Sequence, residues 1–243
     1  MKILKNEING LRSLMNDSKI LYGTDFGDKL LQFTDFFLKT AQTLNLTAIK
    51  EPHEVMIKHY FDSLYPLKFG YFTENARVID VGCGGGFPSL PIKLARSDLD
   101  MLQLDSLKKR LAFLDNVHSM LGLENIATLH ARAEEAGRQK GLRDSFDVAV
   151  SRAVASLNLL CEYCMPFVKP GGVFLAYKGV PDKNEIDAAL PAISKLSGEL
   201  EDILHYELPE NMGTRTLIVI RKIKPTHPLY PRSAKTMSKN PII

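Results

Sequence analysis

The run Asp80-Val81-Gly82-Cys83-Gly84-Gly85-Gly86-Phe87-Pro88 holds the residue types that let a backbone close around a ligand. Alternate glycines turn tightly and allow close approach. The spacing does not make a dinucleotide loop. Counting Gly-x-Gly-x-x-Gly from Gly82 puts Phe87 where the third glycine belongs, and counting from Gly84 puts Ser89 there. Asp80 is a poor neighbour for a pyrophosphate and a good one for a ligand carrying an ammonium and a sulfonium. Asp105, nineteen residues past Gly86, is placed to accept hydrogen bonds from ribose hydroxyls. Ala133 and Glu134 offer a backbone amide and an acid to an adenine edge.

Such positions need strands that end at one edge of a sheet. Residues 77–81 read as a short apolar strand feeding the glycine loop, and 88–96 as the helix it opens. Further strands are expected at 99–104, 126–130, 146–150 and 173–177, and helices at 107–121, 157–168 and 185–196. Pro170-Gly171-Gly172 reads as a turn into the fifth strand. Segments 203–208 and 216–220, joined by Pro209-Glu210-Asn211-Met212-Gly213, read as an antiparallel hairpin. Alternating strands and helices imply right-handed crossovers and a parallel sheet covered on both faces. Ahead of them, Leu30, Phe33, Phe37, Ala41 and Leu44 share one helical face. A second helix is expected from Pro52, carrying Val55, Met56, His59, Tyr60, Ser63 and Leu64. The expected fold is α/β: a Rossmann-like, seven-stranded, mostly parallel sheet with a C-terminal antiparallel hairpin over 76–243, preceded by a helical cap over 1–75.

Composition removes several classes. A chain of 243 residues, 45% hydrophobic and 24% charged, builds a core without disulfides or metal. Three Cys make no disulfide framework, and the six His show no zinc spacing, so no metal is expected. Cys161 and Cys164 read as core positions on one helix. No apolar run approaches the roughly 20 residues of a membrane span. No secretion signal is read, so a cytoplasmic protein is expected and the Asn45-Leu46-Thr47 sequon is discounted. The net charge of +3 is uneven: six of the 31 basic residues and no acid lie in 221–243, leaving 25 basic against 28 acidic before them. The basic tail is a solvated segment or a polyanion contact. Lys178, Arg232, Lys235 and Lys239 are candidate phosphate contacts. Arg152, after the fourth strand, can hydrogen-bond a cofactor or phosphate or stack on a base, but cannot act as a base. His59 and Asp62 are read as a local pair on their helix. The glycine loop with Asp80, Asp105 and Glu134 describes a nucleoside site without a phosphate cradle, which fits S-adenosylmethionine.

The residues also resemble a known family, the bacterial 16S rRNA guanine-N7 methyltransferases (RsmG, or GidB). The likeness runs through Asn45-Leu46-Thr47-Ala48-Ile49, His59-Tyr60-Phe61-Asp62-Ser63-Leu64, the glycine loop, and Asp105 to Leu114. It continues in Arg132-Ala133-Glu134-Glu135, Ser151-Arg152-Ala153, Lys169-Pro170-Gly171-Gly172, Lys178-Gly179 and Tyr230-Pro231-Arg232. One departure is Ser89, where many members carry a further glycine.

The resemblance implies a class I S-adenosylmethionine-dependent methyltransferase fold with an N-terminal helical extension. It implies methylation of N7 of guanine 527, in the 530 loop of 16S rRNA, within the small subunit or an assembly intermediate. A monomer with no membrane and no metal is expected. Cofactor contacts fall on Gly82, Phe87, Ala133, Glu134 and Arg152, with Asp80 and Gly84 in the same loop and Asp105 on the ribose. Candidate RNA contacts are Arg152, Lys178, Arg232, Lys235 and Lys239. Guanine N7 has an in-plane lone pair and no hydrogen, so no catalytic base is needed and alignment carries the reaction. The alternatives are a methyltransferase of a small molecule or protein, and a non-catalytic RNA-binding assembly factor. A nicotinamide oxidoreductase is opposed by the glycine spacing and by Asp80.

Overall fold

A computed structural model describes residues 2–152, 155–180 and 183–243. Ala153 of the Ser-Arg-Ala run lies outside them. Helices α1 (Lys2–Asp17) and α2 (Phe26–Leu44) lead the chain. Their apolar faces are Leu4, Ile8, Leu11 and Met15 on the first, and Leu30, Phe33, Phe37 and Ala41 on the second. Asn45 ends α2 in the left-handed region at φ 50°. The helix expected from Pro52 is three pieces: α3 (Pro52–Val55), a π-turn (Met56–Phe61) and α4 (Asp62–Leu64), followed by a 3-10 turn over Tyr65–Phe69. The π-turn is the departure from the expected regular helix; such turns insert an extra residue and often lie at functional sites.

The sheet strands are β1 (Arg77–Val81), β2 (Asp100–Asp105), β3 (Ile126–His130), β4 (Phe146–Ser151), β5 (Val168–Lys178), β6 (Gly198–Glu207) and β7 (Thr214–Lys222). Their order is β3-β2-β1-β4-β5-β7-β6. The first five run parallel, and β7 is antiparallel to both neighbours. The strand order reverses between β1 and β4, so the carboxyl ends of those strands form the switch point where doubly wound folds bind ligands. Crossovers are made by α5 (Ser89–Ala95), α6 (Lys108–Leu121), α7 (Ala133–Ala136), α8 (Leu157–Cys164) and α9 (Lys183–Lys195). The cap and one sheet face share a continuous hydrophobic core, from Phe33 and Tyr60 through Phe87 to Val78 and Val150. Cys161 and Cys164 are fully buried in the core of the opposite face.

Pro170-Gly171-Gly172 is a bulge inside β5 rather than a turn before it. Pairing with β4 steps from Phe146↔Val168 to Val148↔Val173. A Cβ on Gly172 would stand 2.5 Å from the Asp147 carbonyl oxygen, so only glycine lets β4 approach there. The helix before it stops at Cys164 and becomes a 3-10 turn at Met165–Phe167, because Pro166 cannot donate into another helical turn. Strand β6 starts earlier than expected, in the acidic stretch from Glu199 to Asp202. It is the sheet edge, where charge discourages pairing with another chain.

The basic tail is a docked strap. Arg138 donates to the carbonyls of Pro228, Leu229 and Pro231, and Arg143 to those of Thr226, His227 and Tyr230. Lys222 is buried against Asp144 and the Met165 carbonyl. Arg232 is gripped by the buried Glu162 at 2.7 and 2.8 Å. The last helix, α10 (Ala234–Lys239), is capped by the Ser233 side chain. Breaking a buried pair leaves its carboxylate uncompensated. Arg232→Ala is therefore expected to cost about 3 kcal/mol and to strip hydrogen-exchange protection from 234–239. Protection unchanged from the wild type would contradict the strap. Among the described residues no helix is long and apolar enough to cross a membrane.

Candidate functional site

A crevice of about 550 Å³ opens at the carboxyl ends of β1, β2 and β4. Gly82, Gly84, Phe87, Asp105, Ala133, Glu134 and Arg152 all line it, so residues from four segments of the sequence meet there. The loop hangs on the sheet: the Gly82 and Cys83 N–H groups both donate to the Leu104 carbonyl. Gly82, Gly84 and Gly86 have φ of 79°, 55° and 94°, which other residues resist. The Gly84 N–H donates to Asp105 Oδ2 at 3.0 Å and the Leu107 N–H to Oδ1 at 2.8 Å, which aims that carboxylate.

Asp80 is not a wall of the crevice. It is fully buried beneath the loop; one oxygen accepts from the Ser89 N–H at 3.3 Å and Oδ1 has no partner. Burial pushes its carboxyl up to about 6 from the usual 3.8. A raised value means that folding favours the protonated form. The associated stability is full below about pH 4 and is lost as pH rises through 6. A cation bound above the loop would reverse that cost, so the orphaned oxygen fits a ligand bearing ammonium and sulfonium charges.

The cap contributes Leu46 and His59 to the wall, which also includes Leu160 and Tyr163 among others. The His59 ring stacks on Phe87 at 4.6 Å and 21°, and the Arg152 guanidinium stands 5.1 Å from the same ring centroid. Arg152 donates to His59 Nδ1 at 3.0 Å. A guanidinium only donates, so Nδ1 accepts and the ring proton sits on Nε2, 2.8 Å from Thr47 Oγ1. Burial and the Arg152 charge push the imidazole down to about 3, so it stays neutral. His59 and Asp62 do not bond each other, as the helix spacing suggested; both are held by Arg152. Asp62 Oδ2 lies 3.4 Å from Arg152 and 3.5 Å from Arg215, and Oδ1 accepts from the Tyr206 hydroxyl at 2.8 Å.

The family described as rRNA small subunit methyltransferase G matches residues 27–213. The protein of that name from Alkaliphilus oremlandii is 42% identical over 240 residues, covering 99% of this chain and 98% of its own. The one from Clostridium novyi is 40% identical over 243 residues, covering 94% and 100%. The chain belongs to the small-subunit rRNA methyltransferase G family. Among solved structures, a SAM-dependent methyltransferase from Methanosarcina mazei matches with TM-score 0.51 and 16% identity, covering 66% of this chain and 99% of that one. TrmN from Thermus thermophilus matches with TM-score 0.52 and 18% identity, covering 66% and 48%. The fold is that of S-adenosylmethionine-dependent methyltransferases.

A second pocket of about 470 Å³ adjoins the crevice and shares His59 and Arg152 with it. Its other walls include Lys58, Asp62, Tyr177, Lys178 and Arg215. Lys178 is engaged there by Glu185 at 2.6 Å and the Ala155 carbonyl at 2.7 Å. Arg232 lies in the strap, its donors taken by Glu162 and the Asn240 carbonyl. Lys235 and Lys239 are exposed on α10, whose first residue Ala234 lines the crevice. The sequence assigned no role to Arg110, Thr47 or Arg215, although Thr47 and Arg110 lie in runs that carry the family resemblance. Arg110, 3.6 Å from Asp105, had a signal: it lies on the first turn of the helix that follows that acid. Arg215 had none, being one cation among many on a strand.

Asp80→Asn is expected to raise the stability of the ligand-free protein near neutral pH by about 2 kcal/mol, because it removes a buried charge. The same change should weaken binding of the cationic cofactor at least about tenfold. Melting and calorimetric titration read the two effects, and unchanged affinity would remove Asp80 from the site.

Proposed function

We propose that this methyltransferase transfers the methyl group of S-adenosylmethionine to N7 of the guanine in the 530 loop of 16S rRNA. The cofactor supplies an electrophilic methyl group on a sulfonium. Gly82, Gly84 and Phe87 would hold its amino-acid end, Asp105 the ribose, and Ala133 and Glu134 the adenine edge. Asp80 would supply counter-charge from beneath. The cap over 1–75 would close the crevice through Leu46 and His59, and the target base would enter from the second pocket, between Arg152, Lys178 and Arg215. Lys235 and Lys239, exposed on the helix that begins at Ala234, would meet RNA phosphates. The base must leave its stack to reach a recessed methyl group.

One observation carries the choice of N7. Of the two side chains that line both pockets, Arg152 stays protonated and His59 has both ring nitrogens engaged and is held neutral, while Asp62 in the second pocket is taken up by Arg152, Arg215 and the Tyr206 hydroxyl. Attack by an exocyclic amine requires a proton to be removed, whereas N7 carries none. Arg152, always protonated, offers a donor to the guanine carbonyl beside N7, where adenine carries a donor of its own. Small subunits reconstituted with 7-deazaguanine at that position should accept no methyl group. Methylation at the wild-type rate would refute N7. Binding of unmodified particles with no methyl incorporation would favour an assembly factor instead.

A further inference from the structure

We propose that His59 is a positioning residue for methyl transfer, its imidazole fixing the Arg152 guanidinium against Phe87 where the crevice meets the second pocket. The proposal rests on the reading that methyl transfer occurs in this crevice. Arg152 reaches five acceptors, and the shortest contact is to the imidazole: 3.0 Å to Nδ1, against 3.3 to 3.5 Å to the carbonyls of Lys58 and His59, Asp62 and Ser63. The carboxylate that should bind it most tightly is shared with Arg215 at a similar length. Orientation therefore comes from an uncharged acceptor. An imidazole aims a guanidinium without cancelling its charge, which a carboxylate in the same place would do.

The ring is itself held on three sides. Phe87 stacks on it, Thr47 Oγ1 binds Nε2, and that hydroxyl also accepts the Ile49 N–H at 3.0 Å. Flipping the ring would lose both nitrogen contacts. His59 sits within the π-turn Met56–Phe61 and lines both cavities, so it links the cap to the reacting site. A packing role would ask only for a flat ring on Phe87; the proposed role asks for an acceptor at Nδ1.

Three variants of the full chain separate these roles. His59→Phe keeps a ring and loses the acceptor. His59→Asn puts an amide oxygen as many bonds from the backbone as Nδ1. His59→Gln puts its amide at the distance of Nε2, toward Thr47. With small subunits lacking the modification and saturating cofactor, the Phe variant should lose about 100-fold in kcat, with cofactor Kd within about threefold of wild type. The Asn variant should recover kcat to within about fivefold, and the Gln variant should not. A Phe variant with wild-type kcat, or a folded Asn variant as slow as Phe, would overturn the proposal. Should the Phe variant fail to fold, the Asn and Gln variants decide: Asn at least about tenfold faster supports it, and equal rates overturn it. A wild-type protein that incorporates no methyl group would instead overturn the methyltransferase reading, and this proposal with it.

Discussion

Gly82→Asn is expected to abolish useful cofactor binding while sparing the fold. Gly82 lines the crevice at φ 79°, and a Cβ built there meets no protein atom within 4 Å. The new side chain therefore enters the space that the ligand needs. Asn is among the residues that tolerate the left-handed region, so the backbone cost stays near 1 kcal/mol. Affinity should fall by about 100-fold, or about 2.8 kcal/mol, in a titration of the purified protein. Gly86→Ala should do the reverse. Its Cβ would stand 2.9 Å from Leu114 Cδ2 and 3.1 Å from Leu90 Cβ, so the loss appears in melting temperature. Two glycines of one loop thus report separately on site and core. A Gly82→Asn protein that binds cofactor normally would displace the ligand from this crevice.

Arg152→Ala is expected to lower kcat/KM by about 100-fold or more with a stability loss of only about 2 kcal/mol. Asp62 keeps the Tyr206 hydroxyl and the Arg215 guanidinium, so its burial stays partly compensated. The reaction loses the group that joins His59, Asp62 and Phe87 at the meeting of the two cavities. Arg152→Lys should not restore it: one ammonium cannot span the imidazole and the carboxylate, and it loses the planar face toward Phe87. Steady-state kinetics beside thermal melts read both effects. Intact turnover in a protein that melts early would mark Arg152 as a structural ion pair.

The glycine-loop side of the crevice was legible because it is local. A strand ends at Val81, glycines follow at once, and Asp105 ends the next strand, so short spacings place the loop and its acid together. The directions of the strands followed from the alternation of strands and helices and from the terminal hairpin; their order in the sheet did not. In the second pocket Arg152 and Lys178 were legible singly, but the cluster of Asp62, Arg152 and Arg215 was not, because these come from three distant segments and meet only when the cap packs on the sheet. The π-turn is composed like any buried helix. The strap was hidden for another reason: Arg138 and Arg143 hold it through backbone carbonyls, which every residue carries. Of the six cations in 221–243, Arg221, Lys222 and Arg232 are paired with acids, and Lys224, Lys235 and Lys239 are exposed.

Small-subunit particles lacking the modification, incubated with the purified protein and labelled cofactor, can be mapped base by base and the labelled nucleoside identified. The expected product is 7-methylguanosine at a single guanine of the 530 loop, absent when cofactor is withheld. Label on an exocyclic amine, on another base, or on no RNA at all would contradict it.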